Sequence, residues 1–508
     1  MITMNKKYGY IVVYNGGETE DKILNFNKII PKICVITIAL YMSIGYANAF
    51  ESNKSLIQQG AKLNLSDCIQ IALDNSPNIK KAAYNYKMSK NDVSIAKTAF
   101  FPTIGVGTGY YYNGSHSQRM NSDTRYYNLQ TSLNQLIWNF GKTNAQIKMQ
   151  KFYTISALYN FDSIVLDTIF DVKTNYYGVL AAKATMEINR ANVEINERNY
   201  QRTKAYFDEG IRSKIDLVNA EVNLSDSKIN LVQSTKSYEN AIVRLNNSMY
   251  VAHAPAYEIS NTETFNYLTN EIPVNLEKIS ENKDLSTLPT DVTNAVLTSR
   301  VERLTILDNY KFTPFKYSFE ECEKLAIKNR PDLKAYEATL DAMKQQLSYI
   351  KREYLPEITG GLGYGYRDEY HTSSWNASIG LSTNLNIAQE KFRIDNGKLQ
   401  VESAKNDIEL MRQNIYFEVQ NAYINMIQLE KEIPLMAVKV KQTRENFELA
   451  DGRYAVGLGD YIELQDAKQN YNTAQNTYVQ TVYNYNVARA DLEKLIALPQ
   501  EITITVED

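Results

Sequence analysis

The chain repeats one pattern twice, and this duplication restricts its possible folds more than any other feature of the sequence. Residues 65–112 match residues 319–366 at a constant offset of 254 positions. Later in each copy the offset becomes 247, so that Gly210 corresponds to Gly457. A repeat of this length is far longer than a solenoid unit, and it predicts internal pseudo-symmetry. The predicted segments are a first half at 50–249, a linker at 250–316 and a second half at 317–499.

Each half opens with a helical stretch that ends at a proline. The first runs over about 66–99 and is followed by Pro102, and the second runs over about 319–354 and is followed by Pro356. Proline lacks a backbone donor and restricts the residue before it, so neither helix can continue. Two stretches follow in which apolar side chains alternate with glycine or polar ones, as in β-strands. The predicted strands are 103–112, 126–138, 357–367 and 374–387.

The length and alternation of these strands are typical of a membrane β-barrel, in which about 9–11 residues cross the bilayer. A soluble sheet would show the same alternation. Two isolated hairpins, however, would be marginally stable, and their open edges would invite aggregation. Because four strands from one chain cannot close a barrel, the pattern predicts an oligomer in which several chains contribute strands.

Long helices follow the strands in both halves. The stretch from Thr143 to Phe207 has no proline, and the stretch from Glu390 to Tyr454 has only Pro434. A helix of about 65 residues would be about 100 Å long, and its narrow apolar stripe predicts coiled-coil packing. The proline should kink the second helix or mark a turn. Shorter helices that carry the chain back are predicted at 213–249 and 461–497.

The N-terminal segment 1–49 is predicted to be a signal peptide with a polar extension. Lysines precede an apolar stretch at 33–44, and a small-residue cleavage pattern follows it, which is the order found in secretion signals. Cleavage would leave Cys68 and Cys322, and one pair in a long exported chain indicates buried apolar side chains better than a disulfide framework. Residues 500–508 are predicted to form a C-terminal tail.

Composition and motifs argue against several classes of function. The net charge of −3 does not suit a nucleic-acid partner, which requires a basic surface. The sequence contains no recognisable catalytic constellation and no glycine loop that would hold phosphate. It therefore predicts neither an enzyme nor a bound cofactor or metal.

The whole arrangement resembles the TolC family of outer-membrane efflux channels over nearly all of residues 60–499. The resemblance rests on the openings at Leu65 and Phe319, on the prolines before glycine-rich strands, and on the turns around Gly210 and Gly457. It implies a homotrimer in which each chain gives four strands to a twelve-stranded barrel in outer-membrane lipid, continued by a helical tunnel in the periplasm. It also implies a passive exit duct of a tripartite efflux system, opened by a periplasmic adaptor and an inner-membrane transporter.

The resemblance also implies roles for residues at the periplasmic end of the tunnel. Where the family has an arginine that helps to close the tip, this chain has Gly459, and Arg212 or Lys214 is a candidate replacement. Glu463 and Asp466 lie on one face of the final helix because they are three positions apart, and they match the family's acidic entrance ring, which binds cations. Adaptor docking is expected at Gly210, Ile211, Gly457 and Leu458, and tip closure at Asp216 and Tyr454.

Two further hypotheses stay open at this point. One is the exit duct of a type I protein secretion system. The other, of a different class, is an exported coiled-coil structural protein, which would have heptads without the proline-then-glycine-rich strands. The sequence does not identify the cargo.

Overall fold

A computed structural model describes most of the chain beyond the predicted signal peptide. The described residues are 2–4, 11–13, 57–117, 120–259, 315–368, 371–383, 386–456 and 458–498. The chain divides into two compact units, Met1–Asn53 and Lys54–Asp508. In the first unit, strands β1 (Ile2–Met4) and β2 (Ile11–Val13) pair antiparallel. The apolar stretch of the predicted signal peptide, the predicted tail at 500–508 and most of the predicted linker lie outside the described residues.

The second unit contains the two halves, and from the first helix of each half onward both have the same order of helices and strands. The first half consists of β3 (Lys62–Leu63), α1 (Leu65–Asn75), α2 (Pro77–Lys97), β4 (Thr103–Ser117), β5 (Met120–Trp138), α3 (Lys142–Asp208) and α4 (Lys214–Ser248). Strand β6 (Glu258–Ile259) then pairs in parallel with β3. The second half consists of α5 (Phe319–Asn329), α6 (Pro331–Ile350), β7 (Glu357–Arg367), β8 (Thr372–Ser382), α7 (Ile387–Ala455) and α8 (Tyr461–Leu495). The chain is mostly helical, as predicted.

The opening helix of each half is broken, and the prediction of one continuous helix was wrong in both places. Ser76, between α1 and α2, and Arg330, between α5 and α6, have ψ of 117° and 121°, outside the helical range. Each precedes a proline, whose ring disfavours the helical conformation of the residue before it. The hydroxyl of Ser76 then accepts a hydrogen bond from the Ile79 amide and caps the new helix.

The long helices extend as far as the sequence predicts. Helix α3 has 67 residues and α7 has 69, so each is about 100 Å long. Pro434 lies inside α7, which continues through it, so of the two predicted effects of this proline, a kink or a turn, the turn does not occur. Asn386 caps α7 by accepting a hydrogen bond from the Gln389 amide at 3.3 Å. Because that helix starts here, the last strand ends at Ser382 rather than near residue 387.

The four long strands form one antiparallel sheet in the order β4-β5-β7-β8. The pairing of β5 with β7 joins the two halves, and it contains one irregularity between Leu136 and Trp138. Register places Val106 opposite Thr131 and Leu362 opposite Ala377. Alternation therefore gives the sheet one face rich in large apolar side chains and another mostly of glycine, serine and asparagine, with Tyr111, Tyr126 and Arg367 toward one end. The apolar face carries Ile104, Val106, Tyr110, Tyr112, Leu129, Leu133, Leu362, Tyr364, Trp375, Ile379 and Leu381.

The helices form a layer in which α3 is central. Helix α3 packs against α2 and α4 of its own half and against α6 and α8 of the other half. Helix α7 packs against α6 and α8. Along most of the layer, the order is therefore α2 with α4, then α3, then α6 with α8, then α7. No helix among the described residues is long and apolar enough to span a bilayer.

Cys68 and Cys322 are fully buried in the separate cores of the two halves. Burial, with the neighbouring charge of Asp67, raises the pKa of the Cys68 thiol to about 12. Burial and Glu321 raise the pKa of the Cys322 thiol to about 11. Since the thiolate is the reactive form, we expect iodoacetamide at pH 8 to leave both thiols unmodified in the folded protein. Mass spectrometry should show both alkylated after denaturation. Alkylation of either cysteine without denaturant would contradict this packing.

Candidate functional site

The candidate site is the end of the helical layer where α3 turns into α4 and α7 turns into α8. Gly210 ends the first turn with φ of +75°, a left-handed conformation that glycine adopts without strain. The amides of Ile211 and Arg212 both donate to the Tyr206 carbonyl, at 2.8 and 3.2 Å. In the second turn, the Leu458 amide donates to the Arg453 carbonyl at 2.9 Å. Gly457 lies outside the described residues.

Tyr454 is the centre of this tip. Its side chain is fully buried, and its hydroxyl lies 3.1 Å from the Thr203 hydroxyl on α3. Its ring meets the Tyr461 ring edge-on at 5.8 Å between centroids. The guanidinium groups of Arg202 and Arg212 lie 5.2 and 4.7 Å from the ring centroid. Tyr454 therefore joins the end of α7 to the first half of the chain through one hydrogen bond and two cation–π contacts.

Polar contacts around Tyr454 connect the same two helical hairpins. Arg202 on α3 donates to Asp451 on α7 at 2.5 Å. The Tyr206 hydroxyl donates to the Ala455 carbonyl at 2.8 Å. Farther along, the Asn223 amide on α4 donates to the Tyr461 hydroxyl at 2.8 Å. Burial, the Tyr454 ring and the Asp216 charge raise the pKa of Tyr461, against the opposing effect of the Asn223 hydrogen bond.

The structure gives a physical reason for glycine at position 459. A Cβ atom on residue 459 would lie 2.8 Å from the Tyr454 amide nitrogen and 3.1 Å from the Arg453 carbonyl carbon. Any side chain would therefore force this turn to open. Arg212 reaches the same place from the first half and donates to the Gly459 carbonyl at 3.2 Å. Of the two predicted replacements, Arg212 rather than Lys214 makes contacts with Tyr454 and Gly459.

The predicted closure residues Asp216 and Tyr454 are not brought together within the protomer. Asp216 is the third residue of α4, and it accepts hydrogen bonds from the Ser213 hydroxyl at 3.0 Å and from the Ser213 amide at 3.3 Å. It completes a capping box that starts α4. Thr203 occupies the position opposite the Tyr454 hydroxyl instead.

The two predicted acidic residues lie on the exposed surface of α8, beside this cluster. Glu463 and Asp466 are both exposed, while Leu464 and Ala467 on the adjoining face of the helix are buried in the Tyr454 cluster. Glu463 lies 3.6 Å from the Arg453 guanidinium. The pair is thus available to face whatever surrounds α8 outside the protomer.

Sequence reasoning missed a layer of buried polar side chains between α3 and α8. Lys468 on α8 is only 5% exposed. Its ammonium donates to the Asn196 side chain on α3. The signal was present in the sequence, because polar residues recur at spacings of four and three on the buried stripe of α3, where coiled coils usually carry apolar ones. Those residues are Asn192, Asn196, Asn199 and Thr203.

The fold of long helical hairpins that extend from an antiparallel sheet is that of solved outer-membrane channels. The outer-membrane channel OprN matches with a TM-score of 0.65 at 14% identity, over 85% of this chain and 89% of that chain. The MtrE outer-membrane channel of Neisseria gonorrhoeae, in its open state, matches with a TM-score of 0.63 at 17% identity, over 89% and 95%. At these low sequence identities, the similarity shows a common fold and nothing further.

The chain belongs to the outer membrane efflux protein family, whose model matches residues 68–249 and 324–498. Outer membrane protein TolC of Escherichia coli K12 is 24% identical over 229 residues, which are 44% of this chain and 45% of that protein. The probable outer membrane lipoprotein SilC of Salmonella typhimurium is 23% identical over 207 residues, 39% and 44% of the two chains. The matched region thus spans less than half of these relatives. The predicted family and outer-membrane location are confirmed.

Proposed function

We propose that the protein is a homotrimeric outer-membrane channel that acts as the exit duct of a tripartite efflux system. In this proposal a periplasmic adaptor and an inner-membrane transporter supply the opening and the energy. The channel itself is passive, and no catalysis is assigned to it. The family and the fold of its relatives support this function over an exported structural protein. No contact in the described residues favours a protein secretion duct over an efflux duct.

The observation that carries the trimer is that the sheet of one protomer has two edge strands and that the outer helices on both sides expose apolar side chains. Strands β4 and β8 are the edges of the sheet, and an unpaired edge requires a partner in a membrane because its backbone polar groups have no water there. The outer helices expose apolar side chains at coiled-coil spacing. On α2 and α4 these are Tyr84, Met88, Ile95, Ile215, Val218, Val222, Ile229 and Val232, and on α7 they are Leu399, Leu410, Phe417, Ile424, Leu435 and Leu449.

These two surfaces suit one another when identical chains are arranged in a ring. Ile215, Val222 and Ile229 recur every seven residues, as do Leu410, Phe417 and Ile424, so each row can form one side of a coiled-coil seam. A head-to-tail contact that closes by rotation makes a ring. Three chains would bring twelve strands together, four from each. That number is within the range of membrane barrels.

The two faces of the sheet support the same arrangement. The apolar face, with Trp375 and Ile379 both 80% exposed, suits lipid. The opposite face carries Gly361, Gly363 and Gly365 beside Ser378 and Asn376, which suits a water-filled lumen. At one end of that face the Arg367 guanidinium lies 4.4 Å from the centroid of the Tyr126 ring, so the predicted lumen combines small polar side chains with a charged and aromatic pair.

The exposed tips of both hairpins suit an adaptor. Ile211 is 62% exposed and Leu458 is 77% exposed, at the turn positions where docking is predicted. Val456 and Ile462 beside them are also exposed. Apolar side chains held at the end of rigid helices form a small contact surface for a partner with an apolar end of its own.

The acidic pair gives a prediction about ion block. With three copies around an axis, Glu463 and Asp466 would place six carboxylates at the narrow end of the tunnel. We expect E463Q/D466N to weaken block by a trivalent cation at least about tenfold, because the ring would lose its charge. Planar-bilayer recordings give the blocking concentration. E445Q/E448Q, also exposed on the tunnel helices, serves as the control. Unchanged block in E463Q/D466N would remove this role.

Fractionation tests the proposed function as a whole. The protein should be found in the outer membrane and should migrate as an oligomer on gels until the sample is heated. Recovery as a soluble periplasmic monomer would contradict the channel and would favour the structural-protein hypothesis.

A further inference from the structure

Lys468 is a buried cation without a carboxylate partner among the described residues. It lies on α8, two residues beyond Asp466, and its side chain turns toward α3. The ammonium donates to Gln465 Oε1 at 2.6 Å and to Asn196 Oδ1. Both acceptors are neutral amides. Such acceptors satisfy the hydrogen bonds of the ammonium. They carry no negative charge, so they do not offset the free energy that the ammonium loses when burial removes its hydration.

The amide layer around Lys468 is incompletely bonded. Among the described residues, the Asn199 Nδ2 and Gln465 Nε2 atoms are buried without a hydrogen-bond acceptor. Each such group has lost its hydrogen bonds to water without gaining a partner, which disfavours the packed state. The contact between α3 and α8 at this level is therefore less stable than one in which every polar group is bonded, which favours separation of the two helices here.

The charged groups near this layer are engaged with other partners. On α3, Glu197 lies 3.8 Å from Lys228 of α4, and Arg202 pairs with Asp451 of α7. On α7, Arg444 pairs with Glu448. On α8, Asp466 is exposed. Burial raises the pKa of Tyr471, and the charges that act on this pKa are those of Arg444 and Glu448 rather than that of Lys468. Burial alone lowers the pKa of Lys468, to about 8.

We propose that Lys468 is a positioning residue of the gate, whose buried charge weakens the contact between α8 and α3 and so poises the tip to open. This inference rests on the proposed channel function. When the tip separates, the ammonium gains water and its cost of burial disappears. The residue touches no cargo and acts only through the packing of α8, the helix that carries Glu463 and Asp466.

The sign of the pH dependence follows from the two states. In the packed state the pKa is about 8, and in water it is 10.5. Above both values the lysine is neutral everywhere, and packing carries no cost of buried charge. As the pH falls from 10.5 to 8, the separated state takes up its proton first, so opening becomes more favourable. Below about 8 both states are charged, and the effect is constant.

The test compares open probability at pH 7 and pH 10 in planar bilayers for the wild-type trimer and three variants. The wild type should be open at least about tenfold less at pH 10, because the separated state no longer binds the lysine proton much more strongly than the packed state at that pH. K468M should be as closed at pH 7 as at pH 10. K468R, which stays charged, should be open at both values. K204M, at an exposed lysine of α3, should behave as the wild type. A wild-type pH response in K468M would overturn the inference.

A distance measurement separates this inference from the channel function. Spin labels on Q201C of α3 and Q469C of α8, both exposed positions, report the separation of the two helices. The wild-type distance distribution should narrow between pH 7 and pH 10, and the K468M distribution should be narrow at both. If no variant conducts but this change occurs, the channel function fails, while the weakening of the contact between α3 and α8 by Lys468 stands. If the distances do not respond to pH, the role of Lys468 fails.

Discussion

Y454A should hold the tip open. The substitution removes a fully buried ring together with the contacts to Thr203, Arg202 and Arg212. Truncation of a buried aromatic side chain costs about 3–5 kcal/mol of stability. The packed tip loses more stability than the separated tip, because the ring makes these contacts in the packed tip. The ratio of open to closed channels should therefore rise by roughly a hundredfold or more. Single-channel recording measures it directly.

Y454F is the matched control, since it retains the ring and loses only the hydroxyl. The lost bond to Thr203 is worth about 0.5–1.5 kcal/mol, so its opening should increase no more than about tenfold. T203V should have a similar effect, because it removes the other partner of the same bond. Oligomers of all three variants on unheated gels would show that assembly is intact. Equal open probabilities in Y454A and the wild type would mean that Tyr454 does not hold the tip.

I229D/V232D should abolish the trimer. Both side chains are exposed in the protomer, at 53% and 69%, and both belong to the apolar row of α4 that is proposed to face α7 of the next chain. An unpaired carboxylate buried in that seam would cost several kcal/mol, and the ring repeats this cost at each of its three contacts. We expect monomers in detergent, detected by size-exclusion chromatography with light scattering.

N230D/S237D adds the same charge on the same helix, at a different angle around its axis. Both residues are exposed, and the helical repeat places each about 80–100° from the row of Ile215, Val222 and Ile229, so this variant should remain oligomeric. The comparison separates the location of the charge from its amount. A stable trimer of I229D/V232D would place the subunit contact on another surface.

The elements that local chemistry determines could be predicted from sequence. Pro102 and Pro356 end helical stretches, the alternating strands follow, and the uninterrupted stripes of α3 and α7 give their lengths. The breaks at Ser76 and Arg330 could have been found by the same rule for a residue before proline. Pro434 does not end its helix. A helix of 69 residues that is packed on both sides of the proline tolerates the loss of one backbone hydrogen bond.

The tip was less predictable because its contacts join residues far apart in sequence. Tyr454 was identified, but its partner Thr203 is 251 positions away and was not. Asp216 was assigned to closure, although its spacing from Ser213 also fits a capping box. The exclusion of a side chain at Gly459 depends on the backbone of the second turn. The burial of Lys468 depends on the rotation of α8 against α3, which no local pattern determines.

Native mass spectrometry of the protein extracted from outer membranes tests the central claim most directly. That claim is that identical chains close the open edges at β4 and β8 and the apolar rows of α4 and α7 into one channel. The predicted result is a complex with three times the mass of the chain. A complex of one chain would leave both edges unpaired and would contradict the account, and a complex of two would contradict the trimer.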